Sequence, residues 1–229
     1  MEFIIITIVA MIAIIVLGCI FGYDKKKLKH IADDKELDEL AKKYPNNIEI
    51  CKTYLRKLNN ENVIVKENKE TEASLYIAIT NQISIANVAN TYTRIQTIAH
   101  ECLHSIQNRK ILLFNFLFSN VYLLYFIMIC GLAIFKRLPY KMMFLGIFLI
   151  LSLVYYVVRI YLENDAMIKA RYLAKEYMEE IKVSTPEEIT KIVLGFDKIN
   201  ELGIRCINYN FFLNIMIKMI VFSIICVIR

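Results

Sequence analysis

Four apolar runs constrain this chain more than any other feature. Residues 3–22 and 111–135 contain no charged side chain, residues 142–162 carry only Arg159, and residues 211–228 carry Lys218 near the middle. A helix crosses the hydrocarbon core of a bilayer with roughly 20 such residues. It can do so because all its backbone N–H and C=O groups are bonded within the segment, where no water is available. The runs therefore predict about four transmembrane helices. Hydrophobic residues are 57% of the 229, above the ~45–50% of an ordinary soluble domain, while charged residues, at 22%, are close to the usual ~25%. The apolar excess is thus concentrated, not spread. This excludes a disordered chain, a collagen-like repeat and a plain soluble enzyme, and the charged residues exclude a purely embedded bundle.

Charge beside the runs sets an expected topology. Lys25, Lys26, Lys27 and Lys29 follow the first run, and neither a basic stretch nor a small-x-small cleavage site marks it as a signal peptide. It reads as an uncleaved anchor (1–22) with its N-terminus outside, in a multi-pass protein of the cell membrane. Residues 23–110 then form a cytoplasmic segment, 111–162 a hairpin of two spans, 163–208 cytoplasmic helices and 209–229 a last span. The outer loop 136–141 carries Lys136, Arg137 and Lys141, but the basic residues of all polar segments together favour this orientation. The net charge of +6 is read as topology, with residues 25–29 against anionic lipid, and no nucleic acid is expected as a partner. Three of the six cysteines sit in apolar runs and no C-x-x-C occurs, which excludes a disulfide framework and a cysteine zinc site.

Within the first polar segment, residues 28–43 have helical spacing and read as a continuation of the first span. Residues 46–58 form a second amphipathic helix. Residues 62–66, 75–79 and 82–86 alternate as short strands, with Thr80 and Asn81 as a hairpin turn. From about Asn90 to Lys110 the helical period returns, with Ile95, Ile98, Ala99, Cys102, Leu103 and Ile106 as the buried stripe. The third span is expected to run on to about Ile181. Thr185-Pro186-Glu187-Glu188 is a capping box that starts a new helix.

The residues that carry chemistry are His100-Glu101-Cys102-Leu103-His104, an H-E-x-x-H on a predicted helix. Residues four apart share a face, so both imidazoles reach one metal ion, and Glu101 stands beside it as a base for an activated water. Catalytic zinc takes three protein ligands and keeps an open position. The remaining histidine, His30, lies in the basic juxtamembrane run and reads as solvated. A carboxylate on the same membrane side is the better third ligand, which points to Glu163 where the third span emerges. The structural alternative pairs Glu163 with Arg159 one turn earlier. Asp165 is a lesser ligand candidate, better suited to orienting a histidine from behind. Cys102, on the far side of the helix, is expected in the core. Asn210, Asn214 and Lys218 make a polar stripe at the start of the last span, either a wet face or a weakly embedded helix with a snorkelling lysine.

Thr97-Ile98-Ala99-His100-Glu101-Cys102-Leu103-His104-Ser105-Ile106-Gln107 resembles the A-H-E-x-G-H-A-I-Q signature of the bacterial membrane-bound neutral zinc metallopeptidases. Leu162-Glu163-Asn164-Asp165-Ala166-Met167-Ile168-Lys169-Ala170 resembles their second block, E-F-D-A-S-R-R-A. The order of anchor, polar segment, motif helix, hairpin and second block is also similar. Leu103 departs from the usual glycine and Met167-Ile168-Lys169 from the polar run. The resemblance implies a mostly α, multi-span membrane protein with a small α+β zincin-like domain at the cytoplasmic face. It implies Zn2+ held by His100, His104 and Glu163, Glu101 as general base, and a peptide or protein substrate. An extended peptide would pair with an edge of the 75–86 hairpin. Arg205 and Tyr209 are candidate donors to the oxyanion. Two other functions remain open: a catalytically degenerate membrane adaptor or scaffold with a structural or vestigial zinc site, and a zinc hydrolase acting on a non-peptide substrate.

Overall fold

The computed structural model describes residues 1–68, 71, 73–86 and 91–228. In chain order the elements are α1 (Glu2–Ile20), α2 (Lys25–Ala32), α3 (Lys35–Ala41), α4 (Asn47–Lys57), β1 (Ile64–Asn68), β2 (Leu75–Ile77), β3 (Gln82–Ala86), α5 (Thr93–Ile106), α6 (Arg109–Ile134), α7 (Lys141–Ile181) and α8 (Pro186–Ile228). The protein is mostly helical with one small sheet. Four helical stretches, beginning at Glu2, Arg109, Lys141 and Pro186, are long and apolar enough to cross a membrane.

The chain divides into two compact units. One, the apolar unit, comprises Met1–Tyr23, Phe114–Tyr161 and Arg205–Arg229; the other, the polar unit, comprises Asp24–Leu113 and Leu162–Ile204. In the apolar unit a core of Ala10, Tyr122, Ile129, Phe148 and Phe222 is fully or almost fully buried, while most large aliphatic side chains of α1 face outward.

Several sequence expectations are corrected in detail. The helix read through residues 28–43 is two helices, and it is separated from α1. Gly22 adopts a left-handed φ of +59°, and Asp24 caps α2 by accepting from the Lys27 N–H at 2.8 Å. Asp34 caps α3 by accepting from the Glu36 and Leu37 N–H groups. A capping carboxylate satisfies amides that a continuous helix would bond internally, so each aspartate starts a new helix. The helix expected from about Asn90 to Lys110 stops at Ile106, and Asn90 itself lies outside the described residues. Gln107 is extended, at φ −63° and ψ 159°, and α6 begins two residues later. Ile106, expected in the buried stripe, is therefore exposed at the helix end. By contrast, the helix that starts at Pro186 and the last apolar run form one element, α8. The capping box is formed as read: Thr185 N–H donates to Glu188 Oε2 at 3.0 Å, and Glu188 N–H donates to Thr185 Oγ1 at 3.3 Å.

The sheet order is β1-β3-β2, with β1 parallel and β2 antiparallel to β3. The first strand begins two residues later than its alternation suggested. The turn between β2 and β3 holds Asn81 at φ 49°, a left-handed conformation that asparagine tolerates. Ile83 and Ile85 of central β3 are fully buried against α4 and α5. On α7, Ala166, Ala170 and Ala174 recur every fourth residue and are completely buried. That row of small side chains gives the polar unit a helix face which neighbours approach closely. Tyr54 of α4 packs on Tyr177 of α7 with ring centroids 5.0 Å apart.

One buried cation ties this unit together. Arg94 of α5 is 3% exposed, and its guanidinium donates to the carbonyls of Ala41, Tyr44 and Pro45 and to Asn47 Oδ1, at 2.8–3.0 Å. These are the loose carbonyls past the end of α3, the negative pole of that helix. Arg94→Met keeps the apolar stem but removes a donor from four acceptors, of which the Ala41 carbonyl keeps the Tyr44 N–H. We expect it to destabilise the protein by about 3–5 kcal/mol, read by denaturation in detergent.

Candidate metal centre

Helix α5 forms because its apolar residues face the core at helical spacing, and that same spacing sets His100 and His104 one turn apart on the other face. Their rings meet edge to face with centroids 4.5 Å apart, and their Nε2 atoms lie 3.0 Å apart. Glu163, on α7, brings Oε2 to 3.5 Å from His100 Nε2 and 3.6 Å from His104 Nε2. All three side chains are half-buried, and the three donor atoms converge as a group that can hold a metal ion. Ligands at roughly 2.0–2.1 Å around a tetrahedral ion stand about 3.3 Å apart. The observed separations bracket that value, so the donors need only small shifts to fit such an ion.

Gln107 joins the two ligand-bearing elements. Its Nε2 donates to the Leu162 carbonyl at 2.9 Å and to Asp165 Oδ2 at 3.1 Å. Both are acceptors, so the amide nitrogen must face them and Oε1 must face His104. Oε1 lies 2.8 Å from His104 Nδ1 and accepts its proton, which leaves the Nε2 lone pair available to a metal ion. Asp165 is the carboxylate expected to orient a histidine, but it does so through Gln107 and not directly. Its other oxygen pairs with Lys169 at 2.6 Å. Burial pushes the Asp165 carboxyl up, yet Lys169 and Gln107 outweigh it and hold it below the usual range.

Glu101 is 6% exposed and its Oε2 accepts the backbone N–H of Tyr76, on strand β2, at 2.7 Å. Burial raises its carboxyl above the ordinary value, against the pull of both histidines and the Tyr76 amide. A carboxylate shifted in that direction is a better proton acceptor near neutral pH. For His104, burial acts to lower the pKa, but the contact with Glu163 outweighs it and the net shift is upward.

The two other residues of metal-ligating type that the sequence singled out, His30 and Cys102, are not in the converging group. His30 is exposed on α2. Tyr209 donates its hydroxyl to the Ile14 carbonyl at 2.8 Å, and Tyr209 and Arg205 both belong to the apolar unit. Cys102 is fully buried, its sulfur 3.6 Å from that of Cys51, and both thiols are free. Leu103 is buried in the core and Met167 packs where Gly203 of α8 has no side chain, whereas Ile168 is exposed. No sequence expectation assigned a role to Gln107 or to the Tyr76 amide. Gln107 had a signal, three residues after His104 at a helix end, whereas a backbone N–H has none. The chain matches no family model, no curated protein and no solved structure.

Two outcomes follow for metal binding. Gln107→Leu frees the His104 tautomer and unties Leu162, and should weaken zinc affinity by about 10–100-fold, measured by competition with a chromophoric chelator. The pH sign is also fixed. A raised His104 pKa means that the His104–Glu163 contact stabilises the metal-free fold at low pH and is lost as pH rises through that pKa. Protons and metal thus compete for one atom. Apparent zinc affinity should fall by about tenfold per pH unit below the His104 pKa, with onset above the ~6.5 of an ordinary imidazole.

Proposed function

We propose that this protein is an integral-membrane zinc-dependent metallopeptidase that hydrolyses peptide bonds at the cytoplasmic face of the cell membrane. The observation that carries the reading is the convergence of His100 Nε2, His104 Nε2 and Glu163 Oε2 at near-tetrahedral separations, with a buried carboxylate, Glu101, adjoining on the same helix. Two imidazoles and one carboxylate are a donor set that suits zinc. The resemblance of the two sequence blocks to the neutral zinc metallopeptidases supports the same reading.

When bound, zinc would lower the pKa of a water toward ~7 and polarise the scissile carbonyl. The chain's own residues supply the rest. Glu101 takes the proton of the attacking water and returns it to the leaving amine nitrogen. The Tyr76 N–H holds one of its oxygens, which leaves the other to accept that proton. Gln107 keeps His104 in the ligating tautomer throughout. Strand β2 is an edge of the sheet, and an extended peptide that adds to this edge lies beside Glu101.

Glu101→Gln preserves the Tyr76 hydrogen bond but removes the base. In the detergent-purified protein it should bind about as much zinc as the wild type and lose peptide cleavage by at least about 100-fold. Glu163→Ala should lose zinc itself, read by elemental analysis. Full cleavage by the Glu101→Gln protein would refute the assignment, and undiminished zinc in Glu163→Ala would move the third ligand.

A further inference from the structure

Lys218 stands apart from the candidate centre. It lies on α8 within the apolar unit, with its ammonium nitrogen 4.5 Å from the ring centroid of Tyr122, 5.9 Å from that of Tyr155 and 6.0 Å from that of Phe126. The rings offer the charge their negative faces. Among the described residues no carboxylate pairs with it. The sequence explains why: the segments that build this unit contain a single acidic side chain, Glu2, and Glu2 pairs with the terminal amine at 3.5 Å. Lys218 follows Arg205 by about 13 residues and precedes Ile228 by about 10, or about 20 Å and 15 Å along a helix. That is the middle of a hydrocarbon core about 30 Å thick. A cation at this depth is expensive and is ordinarily paired.

The surface beside it is built for a neighbour. One turn earlier, Asn214 is exposed, and its amide makes no hydrogen bond among the described residues. Ile217, Val221 and Ile224 continue the same exposed stripe at three- and four-residue spacing. An exposed amide and an unpaired ammonium side by side cost free energy against lipid and gain it against a polar partner. Depth argues against lipid phosphate as that partner, since headgroups lie about 15 Å away. A second copy of this chain brings no carboxylate in its own spans except Glu2.

We propose that this stripe of α8 docks a partner transmembrane helix carrying one aspartate or glutamate at mid-depth. The carboxylate pairs with Lys218, and Asn214 donates to it or to the adjacent backbone. The proposal does not depend on the metal centre.

The test uses the full-length protein in phosphatidylcholine vesicles and a labelled polyleucine transmembrane peptide with a central aspartate, compared with the all-leucine peptide by energy transfer. The aspartate peptide should associate about tenfold more tightly, and Lys218→Met, an apolar change that suits a bilayer span, should abolish the preference. Asn214→Leu should reduce it in part. A wild type that binds both peptides equally would overturn the proposal. So would a preference that survives in Lys218→Met, or one that vanishes when an anionic lipid replaces part of the phosphatidylcholine.

Discussion

The amide of Gln107 is where two distant parts of the chain are fastened together. Its oxygen fixes the ring of His104, and its nitrogen holds the Leu162 carbonyl and Asp165, on either side of Glu163. A primary amide has one acceptor end and one donor end, and here each end meets its complement. The consequence is mechanical as well as electronic. The same contact that chooses the tautomer of one candidate ligand sets the backbone that carries another. Because α5 ends at Ile106, Gln107 is extended, and its side chain is free to turn back toward the helix it follows.

Buried charge is handled differently in the two units. In the polar unit Arg94 is surrounded by carbonyl oxygens, and its fork of donors matches the several acceptors left past the end of α3. In the apolar unit Lys218 is covered by aromatic faces, which moderate its field without neutralising it.

Much of this was legible in the sequence. Hydropathy and length marked the four long helices. The turn chemistry of Asn81 and the capping box at Thr185 identified a hairpin and a helix start correctly. The i, i+4 placement of His100 and His104 follows from helix geometry alone. The misplaced boundaries have a common cause. Spacing reports which face of a segment is apolar, but it does not report a break made by one aspartate side chain, as at Asp24 and Asp34, or by one extended residue, as at Gln107. The sequence likewise did not reveal that the Tyr209 hydroxyl donates to the Ile14 carbonyl.

The sequence by itself determined which segments avoid water and which side chains can donate to a metal, because both are properties of short stretches of chain. The tertiary structure decided which carboxylate meets the two histidines, and that an amide rather than Asp165 orients one of them. It also decided that a backbone N–H of β2 holds Glu101. Those outcomes depend on how α5, α7 and the sheet pack, and packing is a property of the whole unit that no local period records.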